Sequence, residues 1–220
     1  MEPVKISRTL LKRLPIYLNY LKTMPGQDCN VSATAIANAL GLGHVQVRKD
    51  LAKISIEGRR RTGRSRDQLI RDIEKYLDFT SATTTIVVGG GPLGQALLDY
   101  TGFAHSGLNV MACFDPNPTV KRSGAGKPIY SMNRLASFCK CYDVRIGIIA
   151  VEPECAQSVC DGLVDCGIQA IWNFAPVSLK VPKDVVLQNE NLAVSVSALR
   201  MQLKNREADT PVRAAAGLDQ

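Results

Sequence analysis

No stretch of this chain approaches the run of about 20 apolar residues that a membrane span needs, and its basic, proline-containing start lacks the apolar core of a signal peptide. These absences argue against a membrane-spanning protein and lead to the expectation of a cytoplasmic one with no membrane partner. Histidine is scarce: only His44 and His105 occur. Neither falls with a lysine, tyrosine or carboxylate in an acid–base constellation, so no catalytic residue is expected. Seven cysteines stand at 29, 113, 139, 141, 155, 160 and 166, without a paired C-x-x-C. Their spacing suits reduced, buried or semi-buried small side chains, with an incidental thiol switch as the other reading; no metal site is expected.

What is present is unevenly spread. With 45% hydrophobic residues, 220 residues are enough for one or two domains with a real core. Residues 1–79 hold 15 Lys and Arg against 8 Asp and Glu, whereas the remaining 141 hold 12 of each. All of the net +7 therefore lies in the first third, as in a polyanion-binding domain joined to a neutral one.

The neutral part opens on TTIVVGGGPLGQALL, residues 84–98. A β-branched run meets Gly89-Gly90-Gly91-Pro92-Leu93-Gly94, and an apolar helical pattern follows. Gly89 suits a tight turn, Gly91 a close approach of pyrophosphate to the backbone, and Gly94 close packing of helix on strand. The phosphates would sit on the helix N-terminus, where Pro92 needs no N–H. Asp115 closes a strand from Asn109 to Phe114, about 20 residues on, where a ribose-binding carboxylate is expected. A structural glycine turn without a ligand is the competing reading.

In the basic third, Leu10, Leu11, Leu14, Tyr17, Leu18 and Leu21 recur at helical steps over residues 8–23; Pro15 would sit inside this pattern, so a kink or helix start is expected near Leu14. Ser32 would cap a second helix bearing Ala35, Ile36, Ala39 and Leu40. After Gly41-Leu42-Gly43, a third helix from His44 to Ile54 has Val45, Val47, Leu51 and Ile54 for its inner side and Gln46, Arg48, Lys49 and Lys53 for its outer one. That is a helix-turn-helix arrangement, with the third helix set to enter a major groove. Gln46 could pair with adenine and Arg48 with guanine, while Lys49 and Lys53 suit phosphates. A solvated basic helix in a bundle is the alternative. The following EGRRRTGRSR, residues 57–66, places Arg59, Arg60, Arg61 and Arg64 in a loop that suits a wing along DNA.

Beyond the glycine turn, strands and helices alternate, which means a parallel sheet covered on both faces. A short edge element is expected at 127–130, strands at 144–151, 169–172 and 185–187, and helices at 132–141 and 153–166. Phe174 and Pro176 follow a strand's carboxyl end, where open sheets bind ligands. A terminal helix, 192–203, carries Leu192, Val194, Val196, Leu199 and Leu203 at near-heptad steps; it packs either on a partner subunit or on its own domain. The expected organisation is a winged helix-turn-helix domain (1–79), a Rossmann-like α/β domain (80–190), a terminal dimerisation helix (191–205) and a disordered tail (206–220).

These residues resemble the Rex family of bacterial redox-sensing transcriptional repressors over roughly 5–205. The matching stretches are KRLPIYLNYL at 12–21, HVQVRKDL at 44–51, GGGPLGQALLDYTGF at 89–103, FDPNP at 114–118 and NFAPV at 173–177. The resemblance implies a homodimer whose winged helices bind a palindromic DNA operator and whose Rossmann domains bind NADH or NAD. NADH would release the operator and NAD would permit repression, neither being consumed. The terminal helices would swap between subunits. Gly89, Gly90, Gly91, Pro92, Leu93, Gly94, Asp115, Tyr100, Phe174, Pro176 and a partner's Leu192 would form the cofactor site.

The chain departs from the family pattern in three places. Lys53, Ile54 and Arg64 stand where the wing has aromatics, the turn reads GGGPLG rather than GAGNLG, and Asn191 replaces an aspartate before the terminal helix. In the family that aspartate exchanges between an arginine matching Arg13 and a tyrosine matching Tyr100. A charge-assisted bond is worth about 1.5–3 kcal/mol and a neutral one about 1. A weakened switch, as in a divergent paralogue, is therefore the second expectation. An NAD-dependent oxidoreductase and a coenzyme-A-binding domain are lesser ones, and the latter leaves the arginine-rich third unexplained.

Overall fold

The buried positions of the first unit repeat with a helix's period. Leu10, Leu14, Tyr17, Leu18 and Leu21 line one face of α1 (Arg8–Thr23) and meet Ile36 and Ala37 of α2 (Ala33–Leu40), Val47 and Leu51 of α3 (His44–Ile54), and Leu69 and Ile73 of α4 (Arg66–Tyr76). The structure is a computed structural model and describes residues 7–25, 29–54, 63–78 and 82–209. Ser32 caps α2 by accepting the Ala35 N–H at 3.0 Å, and Gly41 ends the helix at φ +64°. Pro15 neither kinks α1 out of existence nor starts it: one helix runs through it. The ring faces solvent, so the carbonyl one turn back, which gets no proline N–H, is open to water.

Two short strands complete this unit, β1 (Asn30–Val31) and β2 (Arg64–Ser65), paired antiparallel. Arg64 was expected in a loop and is instead a strand residue opposite Val31, entered through Gly63 at φ +76°. Ser65 then caps α4 through the Gln68 N–H, and the Arg66 Nε donates to the Leu21 carbonyl at 2.7 Å, tying α4 to the end of α1.

The second unit is organised by a six-stranded, all-parallel sheet in the order β5-β4-β3-β6-β7-β8. Its strands are β3 (Thr83–Val88), β4 (Leu108–Asp115), β5 (Ile129–Ser131), β6 (Ile146–Ile149), β7 (Ala170–Asn173) and β8 (Val186–Asn189). Renumbered within the sheet, that order is 3-2-1-4-5-6, the dinucleotide-binding one, with the reversal between β3 and β6. Alternate residues serve opposite faces. Ile86, Val88, Phe114 and Ile149 pack against α6 (Leu135–Tyr142) and α7 (Pro153–Asp165), while Val87, Cys113 and Ile148 pack against α5 (Pro92–Asp99) and Phe103 of the 3₁₀ turn Thr101–Ser106.

The chain divides into Met1–Ala82 with His105–Gly107, and Thr83–Ala104 with Leu108–Gln220. The last helix, α8 (Leu192–Asp209), runs past the expected end at Leu203, so part of the segment expected to be a disordered tail is helical; residues 210–220 lie outside the described residues. Val194, Val196, Leu199, Met201 and Leu203 of α8 are between 58% and 67% exposed. Among the described residues, no helix is long and apolar enough to cross a membrane.

Candidate functional site

The glycine turn sits where β3 hands over to α5, at the reversal of strand order. Gly89 has φ +111°, and a Cβ there would meet the Ala150 carbonyl oxygen at 2.2 Å. A Cβ on Gly94 would come within 1.8 Å of the Gly89 carbonyl oxygen, so helix and strand approach closely only because residue 94 has no side chain. At Gly91 a Cβ would meet nothing within 4 Å; this glycine borders open space rather than protein. The loop is held from several sides. The Gly89 N–H donates to the Phe114 carbonyl at 2.8 Å, the Cys113 thiol to the Gly89 carbonyl at 3.4 Å, and the Gln95 amide to the Gly90 carbonyl at 2.7 Å. Cys113 and Gln95 were not anticipated, because their parts depend on contacts no local motif encodes. Pro92 occupies the first turn of α5, Leu93 follows it at 40% exposure, and the first-turn N–H groups have no acceptor within the helix.

Asp115 ends β4 beside this turn. Its Oδ2 accepts the Gly90 N–H at 2.6 Å and its Oδ1 the Asn117 N–H at 2.8 Å, which fixes the carboxylate plane and leaves each oxygen another lone pair. Two cavities share Gly91 and Asp115. One, of about 220 Å³, is continued by Asn117, Pro118 and Val120; the other, of about 430 Å³, by Ala150, Val151, Glu152, Cys155 and Ser158. Together they make a cleft across the carboxyl ends of β3, β4 and β6. The open Gly91 face, the free helix N-terminus and the carboxylate 24 residues along fit a dinucleotide's pyrophosphate and ribose.

Phe174 and Pro176 line neither cavity. Phe174 follows β7, its N–H bonded to the Ile149 carbonyl at 2.9 Å. The turn is built by buried Asn173, whose amide nitrogen donates to the Ala175 and Val177 carbonyls and to Asn189, and whose Oδ1 accepts the Ala175 N–H. Phe174 ends a row of four rings: Tyr100 to Phe103 at 4.9 Å, Phe103 to Trp172 at 5.5 Å, and Trp172 to Phe174 at 4.9 Å. Tyr100 is 58% exposed and its ring lies over Gly102, where a Cβ would sit 2.5 Å from it. Phe103 and Trp172 thus bring two sequence candidates, Tyr100 and Phe174, into one aromatic run. Leu192 opens α8, but its side chain lies outside what the structure describes. Asn191 accepts the Val194 N–H at 3.1 Å and so caps α8.

On α3 of the other unit, Arg48, Lys49 and Lys53 are exposed, as is Gln46. Val45, expected inside, is 55% exposed. At about 100° per residue it lies nearly opposite Val47, Leu51 and Ile54, which form the inner stripe. Arg59, Arg60 and Arg61 lie outside the described residues.

The inner stripe of α3 also holds Asp50, only 2% exposed. Arg13 donates to it twice, Nε to Oδ2 at 2.7 Å and Nη2 to Oδ1 at 3.0 Å; the Tyr17 hydroxyl donates to Oδ2 at 2.9 Å, and the Gln46 amide to Oδ1 at 2.8 Å. Burial alone would push the Asp50 carboxyl up, but the hydrogen bonds from Arg13, Tyr17 and Gln46 with the Arg13 charge outweigh it and hold it below its ordinary value. Burial and the bond to Asp50 push the Tyr17 hydroxyl up to about 12. Arg13 is therefore engaged within its own unit, a partnership that the sequence did not suggest.

A dinucleotide-type cleft in one unit and a helix-turn-helix with an exposed basic helix in the other define a class: transcription regulators that respond to a nucleotide. Comparison with known proteins is specific. Residues 5–52 match the family described as "Putative DNA-binding protein N-terminus", and residues 80–177 the one described as CoA binding domain. The redox-sensing transcriptional repressor Rex of Bacteroides thetaiotaomicron is 37% identical over 209 residues, covering 94% of this chain and 95% of the relative. That of Porphyromonas gingivalis is 36% identical over 203 residues, covering 91% and 93%. Among solved structures, RSP in complex with beta-NAD+ and operator DNA is similar with a TM-score of 0.84 at 30% identity, over 98% of this chain and 100% of that one. RSP with beta-NADH gives 0.79 at 31%, over 94% and 98%. The chain belongs to the Rex family of redox-sensing transcriptional repressors.

Proposed function

We propose that this chain binds a double-stranded operator as a homodimer and releases it when NADH replaces NAD in the cleft. The observation that carries this reading is the joint presence, in one chain, of the open Gly91 face beside Asp115 and of the exposed basic face of α3. Gly91 and the α5 N-terminus would hold the pyrophosphate, Asp115 the ribose, and Phe174, Pro176 and a partner's Leu192 the nicotinamide end. The oxidised ring is cationic and the reduced one neutral, so an apolar wall favours NADH by sparing a desolvated charge. A ligand that prefers one dimer geometry shifts the population toward it, and with it the spacing of two α3 helices. Neither histidine lines the cleft, and the reading needs no hydride transfer and no enzyme activity. It places the protein in the cytoplasm beside its DNA.

The dimer reading rests on α8. Val196, Leu199 and Leu203 share one stripe of the helix, and Val194 and Met201 lie on the opposite side, all exposed in the single chain. A helix apolar on two sides suits insertion between surfaces of a second copy. Arg48 would read base edges with Gln46, while Lys49, Lys53, Arg64 and the Arg59–Arg61 run would hold phosphates.

A second reading, a repressor with little redox response, is favoured by two observations: Arg13 is engaged by Asp50, and the neutral Asn191 caps α8. Fluorescence titration with NADH, run beside operator mobility shifts at fixed salt, separates the two. Loss of the shifted complex on adding NADH, but not NAD, supports the first; equal operator affinity with either supports the second. Failure to bind either dinucleotide overturns both cofactor roles.

A further inference from the structure

Gln46 and Asp50 lie one turn apart on α3, the first exposed and the second buried. A glutamine on a solvated helix is ordinarily free to rotate and to exchange the ends of its amide. This one is not. A carboxylate only accepts hydrogen bonds, so the 2.8 Å contact between Gln46 and the Asp50 Oδ1 must be made by the amide nitrogen. Asp50 is itself held, because Arg13 donates to both of its oxygens and Tyr17 adds a third bond. Four donors on two oxygens use the capacity of a carboxylate, and its depressed pKa keeps it an acceptor at neutral pH. One amide hydrogen is therefore committed inward. Commitment of the hydrogen trans to Oε1 would leave the other hydrogen and Oε1 side by side in the amide plane, and among the described residues Gln46 makes no further side-chain hydrogen bond. A donor and an acceptor side by side match the N7 and N6–H edge of adenine in the major groove.

We propose that Asp50 is a positioning residue for base reading, which locks Gln46 of the recognition helix into the orientation that selects one adenine in each operator half-site. The inference rests on the DNA-binding role given above and adds a specificity determinant to it. Arg13 and Tyr17 take part indirectly, by fixing the carboxylate that fixes the amide. Asp50 touches no base.

The test starts from duplexes that the full-length protein, with NAD present, selects from a random-sequence pool. The wild type is expected to select adenine at one position per half-site. At that position 7-deazaadenine, which lacks N7, and purine, which lacks the N6 amino group, should each weaken binding roughly five- to hundredfold. Gln46→Ala, at an exposed position, should remove the preference there and abolish the penalty of both analogues, leaving other positions and the salt slope unchanged. Asp50→Asn can donate as well as accept, so it frees the amide to turn over. It should broaden selection at that same position before it changes any other. An adenine preference that survives Gln46→Ala, or a folded Asp50→Asn protein that loses affinity evenly at every position, would overturn the proposal while leaving DNA binding intact. Failure of the wild type to select any duplex would overturn both.

Discussion

The two units handle buried polarity in opposite ways. The helical unit encloses an ionised carboxylate, Asp50, and satisfies it with Arg13, Tyr17 and Gln46. The sheet unit encloses neutral groups: Thr85, Asn173 and the thiols of Cys113, Cys139 and Cys160. A buried charge adds little net stability, yet removing its partner is expensive, and the pair fixes geometry. Neutral buried groups leave stability nearly indifferent to pH below the ordinary thiol range, above which the raised thiols Cys113 and Cys139 make it fall. The contrast places orientation-sensitive electrostatics behind the exposed basic helix α3 and a rigid, apolar scaffold behind the cleft.

Breaking the charged cluster should give the largest effect. Asp50→Ala leaves Arg13 and Tyr17 without their acceptor and should destabilise the helical unit by about 3 kcal/mol. The only tryptophan, Trp172, lies in the sheet unit. In urea, its fluorescence transition should stay in place while the far-ultraviolet dichroism transition of the helices moves to lower denaturant. Parallel movement of both would contradict the separation. Next, Gly94→Ala forces a methyl against the Gly89 carbonyl and should cost about 1–3 kcal/mol in the sheet unit, with loss of dinucleotide binding in a calorimetric titration and no change in Asp50-linked behaviour.

A smaller effect should come from Tyr17→Phe, which removes one hydrogen bond worth about 1 kcal/mol. The pH profile sharpens this point. The Tyr17 hydroxyl, pushed up to about 12, contributes stability in full below its ordinary value of about 10 and loses it as pH rises toward 12. The Asp50 carboxyl is held low, so its contribution is present above about pH 4 and fades as acid brings the pH through its folded value. Tyr17→Phe should flatten the alkaline decline and keep the acid one; an unchanged alkaline limb would assign that decline elsewhere. The mildest test uses the thiols. Burial and the Asp115 charge push Cys113 up to about 12, and burial beside Cys166 does the same for Cys139. Maleimide at neutral pH should therefore label exposed Cys141 and Cys155 in the native protein, and Cys113 and Cys139 only after unfolding.

What could be read in advance was what a short window encodes. Gly89, Gly94 and Asp115 announce a strand, a turn and an acid because each role depends on neighbours close in sequence. Asp50 gave no such sign: its partner Arg13 lies 37 positions away. An aspartate among basic residues reads as a surface charge until the fold closes over it. Val45 reads as core because it is apolar and in the first turn of α3, but its angle from Val47 turns it to solvent. Arg64 reads as loop from its arginine-rich surroundings, yet Ser65 and Gln68 carry the S-x-x-Q spacing of a helix start, which marks the end of the loop. The aromatic row was invisible because Phe103 and Trp172 meet from a helical turn and a strand 69 positions apart.

That row has a practical sequel. Trp172, Phe174 and Ala150 pack against one buried cluster, and Ala150 also walls the larger cavity. Reduced nicotinamide absorbs where an indole emits, and the oxidised form is transparent there. The chain thus carries a single native lamp in the sheet unit, which a bound reduced nicotinamide can dim and the oxidised form leaves bright, so occupancy of the cleft can be followed in a spectrometer without any attached dye.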